Sequence, residues 1–141
     1  MTLKIIVDGR GPVPGELLGK AALVVTRGRE TLLEKVQPGG TTSNQSEFIA
    51  IINGLQYVLD ELIEGTPVKT VKLLSDSQLA VNCIKKVYAV KNPELTKLTE
   101  HARKLMEDLK EYKIRLSLQW VPRVHTKAAD CLMRYVVGSF Q

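Results

Sequence analysis

The spacing of hydrophobic residues changes once along this chain, near Ser43. Before that position, short apolar runs are separated by glycine and proline, a pattern typical of β-strands joined by tight turns. It predicts three strands, over residues 3–7, 17–26 and 31–37. Because the links between them are too short to hold crossover helices, the three strands should pair antiparallel.

The later part of the chain begins with a helical pattern and then alternates between strands and helices. The i, i+3, i+4, i+7 spacing of a helix about 20 residues long is followed by Phe48, Ile51, Ile52, Leu55, Val58, Leu59 and Leu62. Beyond it we predict a strand over 68–74, helices over 78–87 and 93–112, a strand over 114–121 and a helix over about 127–137, capped by Thr126. The order βββαβααβα predicts an α/β (mixed) fold, with a five-stranded mixed sheet flanked by helices.

Length and composition narrow the class of protein. The chain has 141 residues, which predicts a single domain over residues 1–141. Cys83 and Cys131 stand apart from any CxxC or Cys/His cluster, which argues against a disulfide framework or a structural zinc site. No apolar run approaches the roughly 18 residues that span a bilayer, and the N-terminus has no signal-peptide pattern. We therefore expect a cytoplasmic protein with no membrane partner.

Four acidic residues occupy unusual places in this predicted fold. Asp8 and Asp76 end the first and fourth strands, Glu47 lies early in the first long helix, and Asp130 lies in the second turn of the last helix. Ligand sites of open α/β sheets form at the carboxyl ends of strands, so Asp8 and Asp76 should meet if those strands are parallel neighbours. Carboxylates gathered there would repel one another, and a divalent cation would remove that cost.

The kind of cation and its chemistry follow from the ligands. Hard oxygen ligands favour magnesium or manganese over softer metals. Two such ions roughly 4 Å apart can activate a water and stabilise the leaving oxygen of a phosphodiester. The chain carries 20 Lys and Arg against 15 Asp and Glu, a net charge of +5. Such a basic excess is weak evidence for a polyanionic partner by itself, and it gains weight if four of the acids belong to one metal site.

Each of the four acids also has an ordinary structural explanation. Asp8, which precedes Gly9, could be a turn residue, and Asp76 could be a helix N-cap. Glu47 and Asp130 could be first-turn acids, which the helix dipole favours. Their coincidence in one predicted fold favours the metal site over four separate explanations.

Several short motifs, met in order along nearly the whole chain, resemble those of type 1 ribonuclease H. They are Asp8-Gly9, Thr42-Ser43-Asn44-Gln45-Ser46-Glu47, Leu74-Ser75-Asp76-Ser77-Gln78-Leu79, and Trp120-Val121-Pro122-Arg123 leading to Ala129-Asp130. The segment Tyr88-Ala89-Val90-Lys91-Asn92-Pro93 resembles the short form of that family. The resemblance implies a ribonuclease H-like fold and an endonuclease that hydrolyses the RNA strand of RNA–DNA hybrids. It also implies two Mg²⁺ ions, with Mn²⁺ as a substitute, held by Asp8, Glu47, Asp76 and Asp130.

The resemblance further implies contacts to the substrate. Thr42 and Asn44 should engage the nucleic-acid backbone or sugar, and Gln78 should reach the minor groove, where A-form duplexes expose 2′-hydroxyl groups. Gly9 is a further substrate-binding candidate. Lys91 is the best candidate for a phosphate contact. We expect a monomer that binds the hybrid and requires no protein partner.

Some residues and some functions stay open at this point. His125 precedes the last helix, where some members of the family carry a histidine that assists proton transfer or product release; an exposed histidine without a role is the favoured alternative. Trp120 is more typical of packing than of a stacking platform. The loop over residues 10–15 is one residue shorter than usual in the family, and Ser43 replaces the first of two paired asparagines. A catalytically weak nucleic-acid-binding module on the same fold, or a nuclease acting on DNA, are the competing functions.

Overall fold

The structure, a computed structural model, describes residues 1–135. Its strands are β1 (Thr2–Arg10), β2 (Lys20–Arg27), β3 (Glu30–Pro38), β4 (Thr70–Ser75) and β5 (Arg115–Trp120). Its helices are α1 (Ser43–Ile63), α2 (Gln78–Ile84), α3 (Pro93–Lys110) and α4 (Lys127–Tyr135), and a 3₁₀ turn over Arg123–Thr126 leads into α4. This order of elements confirms the predicted mixed α/β fold.

The five strands form one sheet in the order β3-β2-β1-β4-β5. The first three strands pair antiparallel, as their short links predict. β4 runs parallel to both β1 and β5. In the register of β1 and β4, Val7 lies beside Ser75. Asp8 and Asp76 each follow one residue later, so both emerge at the same edge of the sheet.

The two faces of the sheet are covered by different helices. Successive residues of a strand point to opposite faces, and in β1 Ile5 and Val7 join the larger core under α1, α2 and α3. Ile6 points the other way and packs with Ala129 and Met133 of α4 in a second, smaller cluster. Among residues 1–135, none of the helices combines the length and the apolar character needed to cross a bilayer.

Two boundaries near the predicted site differ from the sequence prediction. β1 does not end in a turn at Asp8-Gly9: it continues to Arg10, and Asp8 still pairs with Ala22 of β2. The explanation of Asp8 as a turn residue is therefore wrong, because hydrogen bonding to β2 outweighs the local turn preference of Asp-Gly. β2 begins at Lys20 rather than at Leu17, whose side chain is exposed in the preceding loop.

Helix ends also differ from the prediction. α2 stops at Ile84, because Lys85 caps it and Lys86 has a φ of 66°, outside the helical region. The last helix is preceded by the 3₁₀ turn, so Asp130 lies in its first turn and not in its second. The predicted end of that helix near position 137 lies outside the described residues.

Candidate metal centre

Three of the four singled-out acids meet at the carboxyl edge of the sheet. Asp8 extends from β1, Glu47 from α1, and Asp76 follows β4 directly. Each offers one carboxylate oxygen, and these three oxygens lie within 4.8 Å of one another. The parallel register of β1 and β4 brings Asp8 and Asp76 together, and the packing of α1 on β1 supplies Glu47.

The close approach of α1 to β1 depends on Gly9. A Cβ atom at this position would lie 2.4 Å from the carbonyl carbon and oxygen of Ser46 and 2.6 Å from the backbone nitrogen of Glu47. Real side chains do not fit at such distances, so only glycine allows this packing. Gly9 therefore has a clear packing role, which determines how near Glu47 comes to Asp8. The substrate contact of Gly9 stays a prediction.

Burial and mutual repulsion make two of these acids hard to ionise. Burial, and then the charges of Asp8 and Asp76, raise the pKa of Glu47 to about 9. Burial, and then the charge of Asp76, raise the pKa of Asp8 to about 7. The backbone N–H of Gly9, which donates to Asp8 Oδ1 at 2.9 Å, partly opposes both shifts. In the absence of a cation, Glu47 therefore keeps its proton at neutral pH.

Glu47 also carries an unsatisfied polar atom. Its Oε2 is buried and has no hydrogen-bond partner within the part of the chain that the structure describes. Such an atom costs roughly 1–3 kcal/mol when nothing compensates it. A divalent cation among three hard carboxylate oxygens would remove this cost and the repulsion together. The residues present therefore fit a metal ion, and the three acids could hold one.

Three side chains from the end of β5 and from the 3₁₀ turn donate hydrogen bonds to Asp76. Its Oδ2 accepts hydrogen bonds from the Thr126 hydroxyl at 3.2 Å and from Arg123 Nε at 3.4 Å. Its backbone carbonyl accepts one from Trp120 Nε1 at 3.2 Å, although Trp120 is about half exposed. The N-cap of α2 is Ser77, whose hydroxyl accepts from Ala80 N. The alternative explanation of Asp76 as the helix cap is therefore wrong.

Thr126 is the residue near the site that the sequence does not reveal. We predicted it as the cap of the last helix, but its hydroxyl lies within hydrogen-bond distance of Asp76 Oδ2 and of the Arg123 carbonyl oxygen. It is fully buried, and 50 positions separate it from Asp76 along the chain. No local pattern signals such a contact, because it depends on how the 3₁₀ turn packs beside the end of β4.

The alternative explanation as first-turn acids, favoured by the helix dipole, fails for Glu47 and applies to Asp130. Glu47 lies beyond the first turn of α1, so the helix dipole does not explain it. Asp130 does lie in the first turn of α4, where it pairs with Arg134 at 3.1 Å. It is close enough for its charge to raise the pKa of Asp8, but among the described residues it is not part of the three-carboxylate group. Its role as a fourth ligand stays a prediction.

The predicted substrate residues lie on exposed positions near helix starts. Thr42 is the N-cap of α1, where its hydroxyl accepts from Gln45 N at 3.1 Å, and Asn44 is in the first turn of α1. Gln78 is the first residue of α2, two positions after Asp76. Lys91 is exposed just before α3, and His125 is exposed in the 3₁₀ turn. Their contacts with a substrate stay predictions.

Comparison with known proteins identifies the family. Residues 13–136 match the family described as "Reverse transcriptase-like". The chain belongs to this family. Among solved structures, the N-terminal RNase H domain of Rv2228c from Mycobacterium tuberculosis is 28% identical, with a TM-score of 0.73 over 93% of this chain and 89% of that chain. LC11-RNase H1, isolated from compost and solved in complex with an RNA/DNA hybrid, is 28% identical, with a TM-score of 0.72 over 92% of each chain.

These likenesses confirm the resemblance to type 1 ribonuclease H, and the shared fold indicates a nuclease. Among curated relatives, bifunctional protein Rv2228c of M. tuberculosis is 29% identical over 134 residues, which are 92% of this chain and 34% of Rv2228c. The chain thus spans about a third of the length of that relative. EbsB of Enterococcus faecalis is 29% identical over 140 residues, which are 98% of this chain and 96% of EbsB.

Proposed function

We propose that this chain is an endonuclease that hydrolyses the RNA strand of RNA–DNA hybrids with two Mg²⁺ ions, for which Mn²⁺ can substitute. The observation that carries the proposal is the carboxylate group of Asp8, Glu47 and Asp76. One oxygen from each acid lies within 4.8 Å of the others, and Glu47 Oε2 is buried without a partner among residues 1–135. The likeness to LC11-RNase H1, which was solved with an RNA/DNA hybrid, supports the choice of substrate.

In this proposal Asp8, Glu47 and Asp76 hold the metal, and Asp130 joins them from α4. When bound, the metal ions supply an activated water and neutralise charge on the leaving oxygen. The protein's part is to hold its ligands in place. Binding requires Asp8 and Glu47 to give up the protons that their raised pKa values retain, so cation affinity should increase with pH.

Strand choice would come from exposed side chains around the carboxylates. Thr42 and Asn44 lie at the start of α1, within five residues of Glu47, and Gln78 lies at the start of α2. The 2′-hydroxyl groups that distinguish the RNA strand are displayed in the wide minor groove of an A-form duplex. Lys91 would contact a phosphate group of the same duplex. The side chains of Gln45 and Glu94 contact each other, which joins the starts of α1 and α3, and Lys91 lies two residues before α3.

The test compares substrates and cations with one pair of matched variants. Labelled RNA–DNA hybrid, duplex DNA and duplex RNA are each incubated with Mg²⁺, Mn²⁺ or EDTA. We expect cleavage of the RNA strand of the hybrid with either cation and none in EDTA. Asp8→Asn should abolish cleavage, whereas Asp108→Asn, which removes a carboxylate from a surface ion pair with Lys104, should not.

Each other outcome would exclude the proposal in a different way. Hybrid binding without cleavage in any cation would identify a binding module on this fold. Equal cleavage of duplex DNA and hybrid would identify a general nuclease that does not recognise the 2′-hydroxyl group. Cleavage by Asp8→Asn at the native rate would exclude the carboxylate group as the active site.

A further inference from the structure

We infer that Thr126 is a positioning residue: its hydroxyl orients Asp76 as a metal ligand and joins Asp76 to the start of α4. The inference rests on the proposed metal site and concerns the side chains of this chain around it. Within residues 1–135, Thr126 forms no hydrogen bond to Asp8 or Glu47, the other two proposed metal ligands of the group. Thr126 is also fully buried from solvent.

The hydroxyl of Thr126 has two possible hydrogen-bond acceptors. Oγ1 lies 3.2 Å from Asp76 Oδ2 and 3.1 Å from the carbonyl oxygen of Arg123. A hydroxyl has a single proton to donate, and an ionised carboxylate is a stronger acceptor than a backbone carbonyl. When Asp76 is ionised, the proton should therefore be directed at Oδ2.

Arg123 contacts the same oxygen but is a weaker constraint. Its side chain is 81% exposed, and its Nε lies 3.4 Å from Oδ2. Exposed ion pairs of this kind contribute little, because solvent and salt screen them. The side chain of Asp76, by contrast, is only 5% exposed, and Thr126 is fully buried. Of the two contacts to Oδ2, the one from the Thr126 hydroxyl is therefore the one that solvent does not weaken.

The contact has consequences for two of the acids. The hydrogen bond from Thr126 to Oδ2 defines how the carboxylate of Asp76 is oriented relative to those of Asp8 and Glu47. Thr126 also directly precedes α4, and Asp130 follows four residues later, about one helical turn. One hydroxyl therefore links the short segment after β4 that carries Asp76 to the 3₁₀ turn that leads into the helix carrying Asp130.

The test measures cation binding in the absence of nucleic acid. Mn²⁺ is titrated by calorimetry into the native protein and into Thr126→Val, which keeps the shape and removes the hydroxyl. Loss of a hydrogen bond that orients a metal ligand typically weakens affinity roughly ten- to a hundredfold, and we expect a decrease of that order. Thr126→Ser keeps the hydroxyl and should bind nearly as the native protein does. If valine is not tolerated in the fold, Thr126→Ala provides the same comparison.

A matched control separates positioning from stability. Thr99 is another buried threonine, and its hydroxyl donates to the carbonyl oxygen of Leu95 inside α3. Thr99→Val should lower thermal stability without changing Mn²⁺ affinity. In hybrid cleavage, Thr126→Val should lower kcat at limiting Mg²⁺, recover it when Mg²⁺ is raised, and leave KM for the hybrid unchanged.

The outcomes distinguish this inference from the proposed function. Unchanged Mn²⁺ affinity in Thr126→Val, or equal losses in the serine and valine variants, would overturn the positioning role. Asp8→Asn serves as the reference: if it also binds Mn²⁺ like the native protein, the metal site itself is wrong. If Asp8→Asn loses binding and Thr126→Val keeps it, the metal site stands and only the role of Thr126 is overturned.

Discussion

At the scale of single residues, Glu47 determines how the site behaves before a cation binds. Burial and the charges of Asp8 and Asp76 raise its pKa, and its Oε2 has no partner within residues 1–135. The folded protein without metal must therefore hold a proton there that the unfolded chain would release at neutral pH. The stability of the metal-free protein should depend on pH for this reason.

The sign of that dependence follows from proton counts. Since the pKa values of Glu47 and Asp8 are raised by folding, to about 9 and about 7, the folded state binds more protons than the unfolded state between roughly pH 4 and 9. The stabilisation is complete below the unfolded pKa values and is lost as pH rises through the folded ones. In EDTA, the melting temperature should therefore fall as pH rises toward 9.

Glu47→Gln should flatten this dependence, because glutamine does not ionise and no longer repels Asp8. Thermal melts from pH 5 to pH 9 in EDTA would measure it, with Glu34→Gln on the exposed strand β3 as the control. Added Mg²⁺ should restore stability to the native protein at high pH by displacing the protons. Identical pH profiles for the native protein and Glu47→Gln would contradict the raised pKa of Glu47.

At the scale of elements, the site depends on two packing contacts. α1 lies so close to β1 that only Gly9 fits between them, and this contact brings Glu47 to Asp8. The 3₁₀ turn before α4 lies against the end of β4, where Trp120, Arg123 and Thr126 all donate to Asp76. The carboxylates are therefore supported by α1 on β1 and by the segment from Trp120 to Thr126 on the end of β4.

Gly9→Ala should separate α1 from β1. Its Cβ would collide with the backbone of Ser46 and Glu47, which cannot rotate away as a side chain can. We expect a destabilisation of about 1–3 kcal/mol and a loss of Mn²⁺ binding, measured by urea unfolding and by calorimetry. Gly28→Ala is the control: it has a φ of 60° but open space around it, so it should cost about 1–2 kcal/mol and leave Mn²⁺ binding intact. Native Mn²⁺ affinity in Gly9→Ala would show that the contact does not position Glu47.

At the scale of the whole molecule, the charges are unevenly divided. The chain carries a net charge of +5, yet three acids are concentrated in one group at the carboxyl edge of the sheet. The rest of the surface is correspondingly more basic, which favours a polyanionic substrate. That residues 1–141 form a single domain stays a proposal, and relatives such as Rv2228c are about three times as long as the region they share with this chain.

Lys91→Ala tests whether this charge is used near the site. Loss of one phosphate contact should weaken hybrid binding and reduce the slope of log K against log salt by about 0.7–0.9, because one fewer counterion is released. Binding would be measured in EDTA to prevent cleavage. Lys110→Ala, at the far end of the 18-residue helix α3, is the matched control and should leave the slope unchanged. Equal slopes for Lys91→Ala and the native protein would remove Lys91 from the binding surface.

Local patterns predicted the elements well but described their ends poorly. The spacing of Phe48, Ile51 and Leu55 is a property of neighbouring residues, and it correctly predicted α1 and the face that α1 buries. The local Asp-Gly signal at Asp8 was wrong, because pairing with β2 extends β1 to Arg10. Threonine is a residue type that commonly caps helices, but the hydroxyl of Thr126 donates to the carboxylate of Asp76 instead. In both cases a contact with a distant segment outweighed the local preference.

The sequence by itself determined the order of elements and the antiparallel pairing of the first three strands, because periodicity and link lengths restrict the topology. The tertiary structure decided that β1 and β4 are parallel neighbours, and hence that Asp8 meets Asp76. Only the tertiary structure decided how deeply Glu47 is buried and that Thr126 and Arg123 hold Asp76. Burial and the contacts of Asp76 depend on segments far apart in the chain. Such contacts leave no periodic trace in the sequence.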